Sequence, residues 1–266
     1  MTRLDRLFAG YAFDLDGTVF LGDSLLPFAA EVVRAIRTGG GRVVFVTNKP
    51  LESAADYAAK LTALGIPAVE ADVVTALDSL FLYLGEQHPR ARILPVSEPL
   101  IAETLASRGF TVTTDPAATD LVVVAFDRTF DYAKLNAAYR AVRLHGAALV
   151  ATNPDPYCPT PDGGLPDCAA MLAAIEACTG EKAEAVLGKP SAHMARAVLS
   201  RLGVPANAAA MVGDRLATDI ALAHTLGLSG ILVLTGATRA ADLDASPVKA
   251  DYVIESLGDL IPQETL

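Results

Sequence analysis

Two apolar runs that each end in an aspartate stand near opposite ends of this chain: Tyr11-Ala12-Phe13 before Asp14, and Met211-Val212-Gly213 before Asp214. Each reads as a buried strand with a carboxylate at its carboxyl end. In an open α/β sheet, ligands bind outside the carboxyl ends of the strands. The two carboxylates can share one crevice only if the outer parts of the chain pack together around whatever lies between them. Right-handed strand–helix–strand connections make a three-layer parallel sheet the economical solution. The fold class is therefore α/β, with a Rossmann-like core.

Around these strand ends the chemistry-bearing residues recur. In Asp14-Leu15-Asp16-Gly17-Thr18 two carboxylates stand one residue apart on extended backbone, and Gly17 lets the chain turn where a side chain would clash. Val43-Val44-Phe45-Val46 runs into Thr47-Asn48, a hydroxyl and an amide. Gly188-Lys189-Pro190-Ser191 precedes a helical pattern, and Asp219 follows five residues after Asp214. Taken singly, these are a solvated turn, an exposed lysine and a helix-capping aspartate. Together, each at a strand end or a helix start, they describe one site. Asp14, Asp16, Asp214 and Asp219 would bring up to four negative charges into it, at a cost of several kcal/mol unless a cation binds or a group protonates. An all-oxygen donor set of this kind suits Mg²⁺, which also lets a phosphate approach, and Lys189 adds a further positive charge.

This combination resembles the haloacid dehalogenase superfamily of phosphotransferases. More narrowly, it is similar to the NagD-like branch of phosphatases, which carry a large α/β cap. The wider resemblance lies in Asp14-x-Asp16-Gly17-Thr18, Thr47-Asn48, Lys189 and Gly213-Asp214 with Asp219. The narrower one lies in Ala151-Thr152-Asn153-Pro154-Asp155, Thr179-Gly180, Gly188-Lys189-Pro190 and Val212-Gly213-Asp214-Arg215-Leu216-x-Thr218-Asp219-Ile220. Lys49, after Asn48, and Asp167, after Pro166, depart from the pattern and bear on substrate preference. The resemblance implies that Asp14 attacks phosphorus and becomes an aspartyl phosphate. Asp16 would protonate the leaving alkoxide and then deprotonate water. Thr47, the backbone at Asn48, Gly17, Thr18 and Lys189 would hold the phosphoryl group. Mg²⁺ would be ligated by Asp14, the Asp16 carbonyl and Asp214, with Asp219 in support. The implied substrate is a small phosphorylated metabolite such as a sugar phosphate or a nucleotide.

Three other readings use parts of the same pattern. A dehalogenase of the same fold would need neither Asp16 as an acid nor a metal. A phosphorelay receiver needs no unit inserted over its site. A non-catalytic phosphate-binding regulator would have lost the nucleophile or the acid, and both are present.

Composition narrows the rest. With 52% hydrophobic and 20% charged residues, the 266-residue chain is globular. A net charge of −10 without a basic stripe argues against nucleic acid as a partner. No apolar stretch has the length of a membrane span, and no signal peptide is evident, so a cytoplasmic protein without a membrane partner is expected, with a homodimer left open. Walker-type and dinucleotide glycine fingerprints are absent. Cys158, Cys168 and Cys178 have neither zinc-site spacing nor an even count. Cys178 is expected in the core; Cys158 falls in a proline-rich loop, and a place near ligand is the minor reading for it. His88 and His145 fall at predicted helix ends, and no histidine is assigned to catalysis.

Along the chain, the pattern predicts a helix Ala29–Thr38, a strand Arg42–Thr47 and a helix capped by Ser53 with Tyr57, Leu61 and Leu64 on one face. A second unit, residues 80–184, has its own alternation: strands at Ile93–Val96, Phe110–Thr113, Leu121–Phe126 and Ala148–Ala151. Its helices are Glu98–Ser107 and one after Asp131, with Tyr132, Leu135, Tyr139 and Val142 on one stripe. Residues 1–79 and 185–266 then form the discontinuous catalytic core, resuming at Val186, with strands Ala209–Val212, Gly230–Leu234 and Tyr252–Ile254. The insert 80–184 is expected as a cap over Asp14. Its loop Asn153–Pro166, with Asp155, Tyr157 and Asp162, is the candidate for reaching the substrate.

Overall fold

The computed structural model describes residues 4, 6–158, 160 and 163–261; Asp162 lies outside them. Two parallel sheets dominate. The first has strands β1 (Gly10–Asp14), β4 (Arg42–Thr47), β5 (Val73–Thr75), β13 (Ala209–Gly213), β14 (Ser229–Val233) and β15 (Tyr252–Ile254), in the order β15-β14-β13-β1-β4-β5. Strands from the two ends of the chain are direct neighbours: Phe13 pairs with Val212 on one side and Phe45 on the other. The sequence expectation that the outer segments pack together therefore holds. Asp14 and Asp214 emerge side by side.

Every residue of β1 and β13 is buried, so these strands are apolar on both faces and need a helical layer on each. Tyr11, Phe13, Phe45, Val212 and Ile231 pack with residues of α1 (Ala29–Thr38) and α2 (Ala54–Ala63). The alternating set, Ala12, Val44, Val46 and Met211, packs with residues of α7 (Ala192–Leu202) and α8 (Ala221–Leu226). α1 and β4 have the expected bounds. Ser53 and Asp56 form the reciprocal cap of α2, each side chain accepting from the other's backbone N–H at 3.1 Å.

The second sheet contains β6 (Arg92–Val96), β7 (Thr111–Val112), β8 (Leu121–Val124), β9 (Ala148–Ala151) and β12 (Ala185–Val186), in the order β12-β9-β8-β6-β7. One face packs on α5 (Tyr132–Tyr139) and α6 (Cys168–Thr179), the other on α3 (Ala76–Gln87) and α4 (Pro99–Ser107). Two short antiparallel ribbons complete the strands: β2 (Phe20–Leu21) with β3 (Ser24–Leu25), and β10 (Tyr157–Cys158) with β11 (Leu165–Pro166).

The structure corrects three details. Val186 does not return to the first sheet: it pairs with Ala151 of β9, and Leu187 packs beside Leu77, Leu80 and Leu84 of α3. Tyr132 is 81% exposed rather than part of a buried stripe, because it opens α5 immediately after the Asp131 cap. Cys178 is exposed, not in the core. Among the described residues, no helix is long and apolar enough to cross a membrane.

Candidate active site

Strands β1, β4 and β13 deliver their last residues to one end of the first sheet, and the acidic groups meet there. Asp14 ends β1, Asp214 follows β13, and Asp219 sits on the π-helical turn Leu216–Ile220. One carboxylate oxygen from each of these three lies within 4.8 Å of the others. All three are buried: Asp14 is 6% exposed, Asp214 1% and Asp219 0%. Lys189, just before α7, reaches into the cluster, where its ammonium donates to Asp14 Oδ1 and, at 2.7 Å, to Asp219 Oδ1. Oδ2 of Asp14 has no hydrogen-bond donor among the described residues.

The surroundings explain the electrostatics. Burial pushes the Asp14 carboxyl well above its ordinary range; Lys189 opposes this, while Asp219 and Asp214 add to it. Burial, reinforced by Asp219, raises Asp214 to about 7. Lys189 loses solvation, yet Asp14 and Asp219 more than compensate and hold its pKa above the usual value. The site is thus a compact, self-repelling acidic cluster held by the buried Lys189 ammonium.

Its shape is set by residues without side chains. Gly17 has φ 91°, and a Cβ there would stand 2.6 Å from Asp214 Oδ2; a Cβ on Gly236 would also collide with that carboxylate. Asp214 Oδ2 instead accepts the Ala237 N–H at 2.6 Å. Close backbone approach thus makes the cradle in which Asp214 sits. Gly17 and Thr18 do not line the cavity. Thr18 is fully buried, with a hydroxyl that has no hydrogen-bond partner among the described residues.

The cavity above the cluster has a volume of about 40 Å³. Asp14, Asp16, Thr47, Asn48, Lys189, Asp214 and Asp219 line it, so the candidates from four separate stretches of sequence do converge. Asp16 is only partly buried, and its carboxylate stands apart from the three-aspartate cluster, 3.7 Å from the Lys49 ammonium. Thr47 is buried, and its Oγ1 accepts the Lys49 N–H at 3.1 Å.

Further residues line the cavity: Lys49 and Asp167, which the sequence singled out as departures bearing on substrate preference, Cys158 of the proline-rich loop, and Arg215 and Thr218, to which the sequence assigned no role. Asp155 and Tyr157, named there only as loop candidates, join them. Four of these, Asp155, Tyr157, Cys158 and Asp167, come from the second-sheet segment, whose loop after β9 reaches the end of the first sheet. Arg215 stacks its guanidinium on the Tyr157 ring, 4.7 Å from the centroid, and donates to the Tyr157 carbonyl at 2.9 Å. Asp167 caps α6 and is pushed up to about 7, chiefly by burial. Burial also drives the Cys158 thiol up to about 11, so it stays protonated at neutral pH. The one visible signal for Lys49 and Asp167 was their departure from the family pattern.

Comparison with known proteins agrees with this geometry. The family model described as haloacid dehalogenase-like hydrolase matches residues 11–111, and a second, described as HAD-hydrolase-like, matches residues 186–260. The sugar-phosphatase AraL of Bacillus subtilis is 32% identical over 95% of this chain and 92% of its own length. A 4-nitrophenylphosphatase from Thermotoga maritima superposes with a TM-score of 0.87 at 36% identity, covering 95% of this chain and 96% of its own. NagD from Escherichia coli K-12 gives 0.83 at 29% identity, with 96% and 100% covered. A glycerol phosphate phosphatase from Mycobacterium tuberculosis, solved in complex with calcium, gives 0.83 at 35% identity, with 95% and 74% covered.

Proposed function

Since the chain belongs to the haloacid dehalogenase-like hydrolases and is a phosphatase of their NagD-like branch, we propose that it hydrolyses a small phosphorylated metabolite, a sugar phosphate, nucleotide or similar monoester, through an aspartyl phosphate on Asp14. The observation that carries this reading is the buried cluster of Asp14, Asp214 and Asp219 bridged by Lys189 at the carboxyl end of β1.

A divalent cation fits the donor set. Three buried carboxylates converge within 4.8 Å, Gly17 and Gly236 leave room around Asp214, and hard oxygen ligands suit Mg²⁺. Asp14, Asp214 and the Asp16 carbonyl would hold it, with Asp219 supporting. When bound, it would neutralise phosphoryl charge and orient the group for in-line attack.

The remaining chemistry belongs to the chain. Asp14 Oδ2, which accepts no hydrogen bond among the described residues, is the oxygen free to attack phosphorus. As the bond from Asp14 to phosphorus forms, the ester P–O bond breaks and Asp16 gives its proton to the departing alkoxide. Asp16 then takes a proton from water, whose oxygen attacks phosphorus. The bond to Asp14 breaks and inorganic phosphate leaves. Lys189 offsets charge on the nucleophile and the transferring group, and Thr47 donates to a phosphoryl oxygen.

The insert, residues 80–184, acts in this reading as a cap. A cavity of about 40 Å³ holds only a few waters, whereas pockets that bind small ligands run to roughly 300–1,000 Å³. Withdrawal of the wall of Asp155, Tyr157, Cys158 and Asp167 would widen the cleft for substrate, and closure would exclude water during transfer.

Two measurements test the reading. p-Nitrophenyl phosphate should be turned over with Mg²⁺ present and lose at least about 100-fold in rate in excess chelator, recovering on Mg²⁺ addition. Full turnover by demonstrably metal-free protein would refute it. Asp16→Asn should slow alkyl phosphates by roughly 10²–10⁴-fold. The loss should be much smaller for p-nitrophenyl phosphate, whose leaving group needs no proton. Equal losses on both would reassign Asp16 to metal geometry.

A further inference from the structure

Asp155 follows β9 of the second sheet, yet its carboxylate is built into the catalytic end of the first. Its Oδ2 accepts from Asn48 Nδ2 at 2.8 Å, and its Oδ1 lies 3.9 Å from Arg215 Nη1. Asn48 follows β4, and Arg215 follows Asp214 at the end of β13, so one carboxylate links the loops on both sides of Asp14.

The Asn48 amide is fully engaged. Its Oδ1 accepts the Lys189 N–H at 2.6 Å, while Nδ2 donates to the Lys189 carbonyl at 3.3 Å and to Asp155. A primary amide has two N–H donors, and both are used. Asn153 holds the same turn: its Nδ2 donates to the Asn48 carbonyl at 3.0 Å and its Oδ1 accepts the Asp155 N–H at 2.9 Å. The packing has no slack, for a Cβ on Gly188 would lie 2.5 Å from Asn48 Oδ1 and 2.7 Å from the Thr152 carbonyl.

We propose that Asp155 is a positioning residue for phosphoryl transfer: docked from the second sheet, it fixes the Asn48 amide, which grips the Lys189 backbone so that the ammonium reaches Asp14. The inference rests on the phosphatase reading and adds a coupling to it. Undocking of the loop after β9 and release of Lys189 from Asp14 become one event, so the site is assembled only when the cap is closed. A contact from Asp155 to substrate would serve poorly, since its charge repels a phosphate ester, whereas its present partners are an amide donor and a guanidinium.

Asp155→Ala and Asp155→Asn, compared on p-nitrophenyl phosphate and glycerol phosphate with Mg²⁺, provide the test. Asp155→Ala should lower kcat by about 10–100-fold on both esters alike, the scale of a misplaced catalytic group, with KM within about threefold. Asp155→Asn keeps an oxygen that accepts from Asn48 and should recover to within about fivefold of wild type. Amide exchange of the peptide containing Gly188 and Lys189 should quicken at least about tenfold in Asp155→Ala only. Should Asp155→Ala fail to fold, Asp155→Ser reads the same split.

A KM change that differs between the esters would make Asp155 a substrate contact and overturn the proposal. Unchanged kcat per folded molecule with unchanged exchange would overturn it too. Wild-type protein inactive on every ester would instead overturn the phosphatase reading beneath it.

Discussion

Asp14→Asn is expected to abolish turnover, by roughly 10⁴-fold or more, the scale of losing a nucleophile from a site whose parts act as a unit. The amide is nearly isosteric with the carboxylate but cannot attack phosphorus. Stability should move the other way. Burial, opposed by Lys189, holds the Asp14 carboxyl well above its ordinary value, so its ionised form costs the fold free energy. A group whose folded pKa is raised contributes stability that is present below its unfolded pKa and is lost as pH rises through the folded one. The neutral amide removes that loss, and Lys189 keeps Asp219 as a partner at 2.7 Å. Asp14→Asn should therefore melt at or above the wild-type temperature near neutral pH while showing no phosphoenzyme by mass spectrometry. Near wild-type kcat on any phosphate ester would remove Asp14 from the nucleophile's place. Stability gained where activity is lost marks an acidic site kept for function.

The part of this site that sequence could reach is the part carried by strand ends. An apolar run that stops at a carboxylate fixes where the side chain stands and which end of the sheet it faces. Asp14, Thr47 and Asp214 were legible for that reason, and the pairing of Phe13 with Val212 and Phe45 bears out the arrangement. α1 and β4 were equally clear, each bounded by Gly39-Gly40-Gly41 and a change of periodicity.

What stayed hidden depends on which distant segments touch. Asp155 and Arg215 stand in the quoted motifs, but their meeting over the cavity exists only once the chain folds, and no periodicity records that Asn48 would spend its amide on Lys189. Val186 was assigned to the wrong sheet because a two-residue strand carries no pattern, and only its pairing with Ala151 decides the matter. Tyr132 looked buried because helical spacing defines a stripe without saying how far along it the neighbouring layer extends. Here α5 runs on into a wider π turn at Arg140–Leu144; Leu135 and Val142 of the expected stripe do pack on the second sheet, joined by Ala138 and Ala141, while Tyr132 lies beyond the layer.

Lys189→Ala should be the second most damaging change, costing roughly 10²–10³-fold in kcat/KM, the scale of removing a preorganised charge donor from a closed site. Unlike Asp14→Asn, it should also destabilise. Lys189 is 3% exposed and is the ammonium partner of both Asp14 and Asp219, so its removal leaves buried carboxylates without a counter-charge, at about 3–5 kcal/mol when they are ionised. The pH dependence follows from the direction of the shifts. Burial already raises Asp14, and it raises Asp214 to about 7; without Lys189, which lowers both, each rises further. Well below these raised values the carboxyls are protonated and the missing cation matters little. As pH climbs through them, the penalty grows to its full size. The melting temperature of Lys189→Ala should thus fall only slightly short of wild type near about pH 5 and much further short near about pH 8. Mg²⁺ should narrow the gap at the higher pH, because a divalent ion among the same carboxylates supplies the charge that the lysine no longer does. Thermal melts at both pH values, with and without the metal, separate these effects from a general packing loss, which would be equal at both. A kcat/KM within about threefold of wild type would show that the ammonium serves the fold alone.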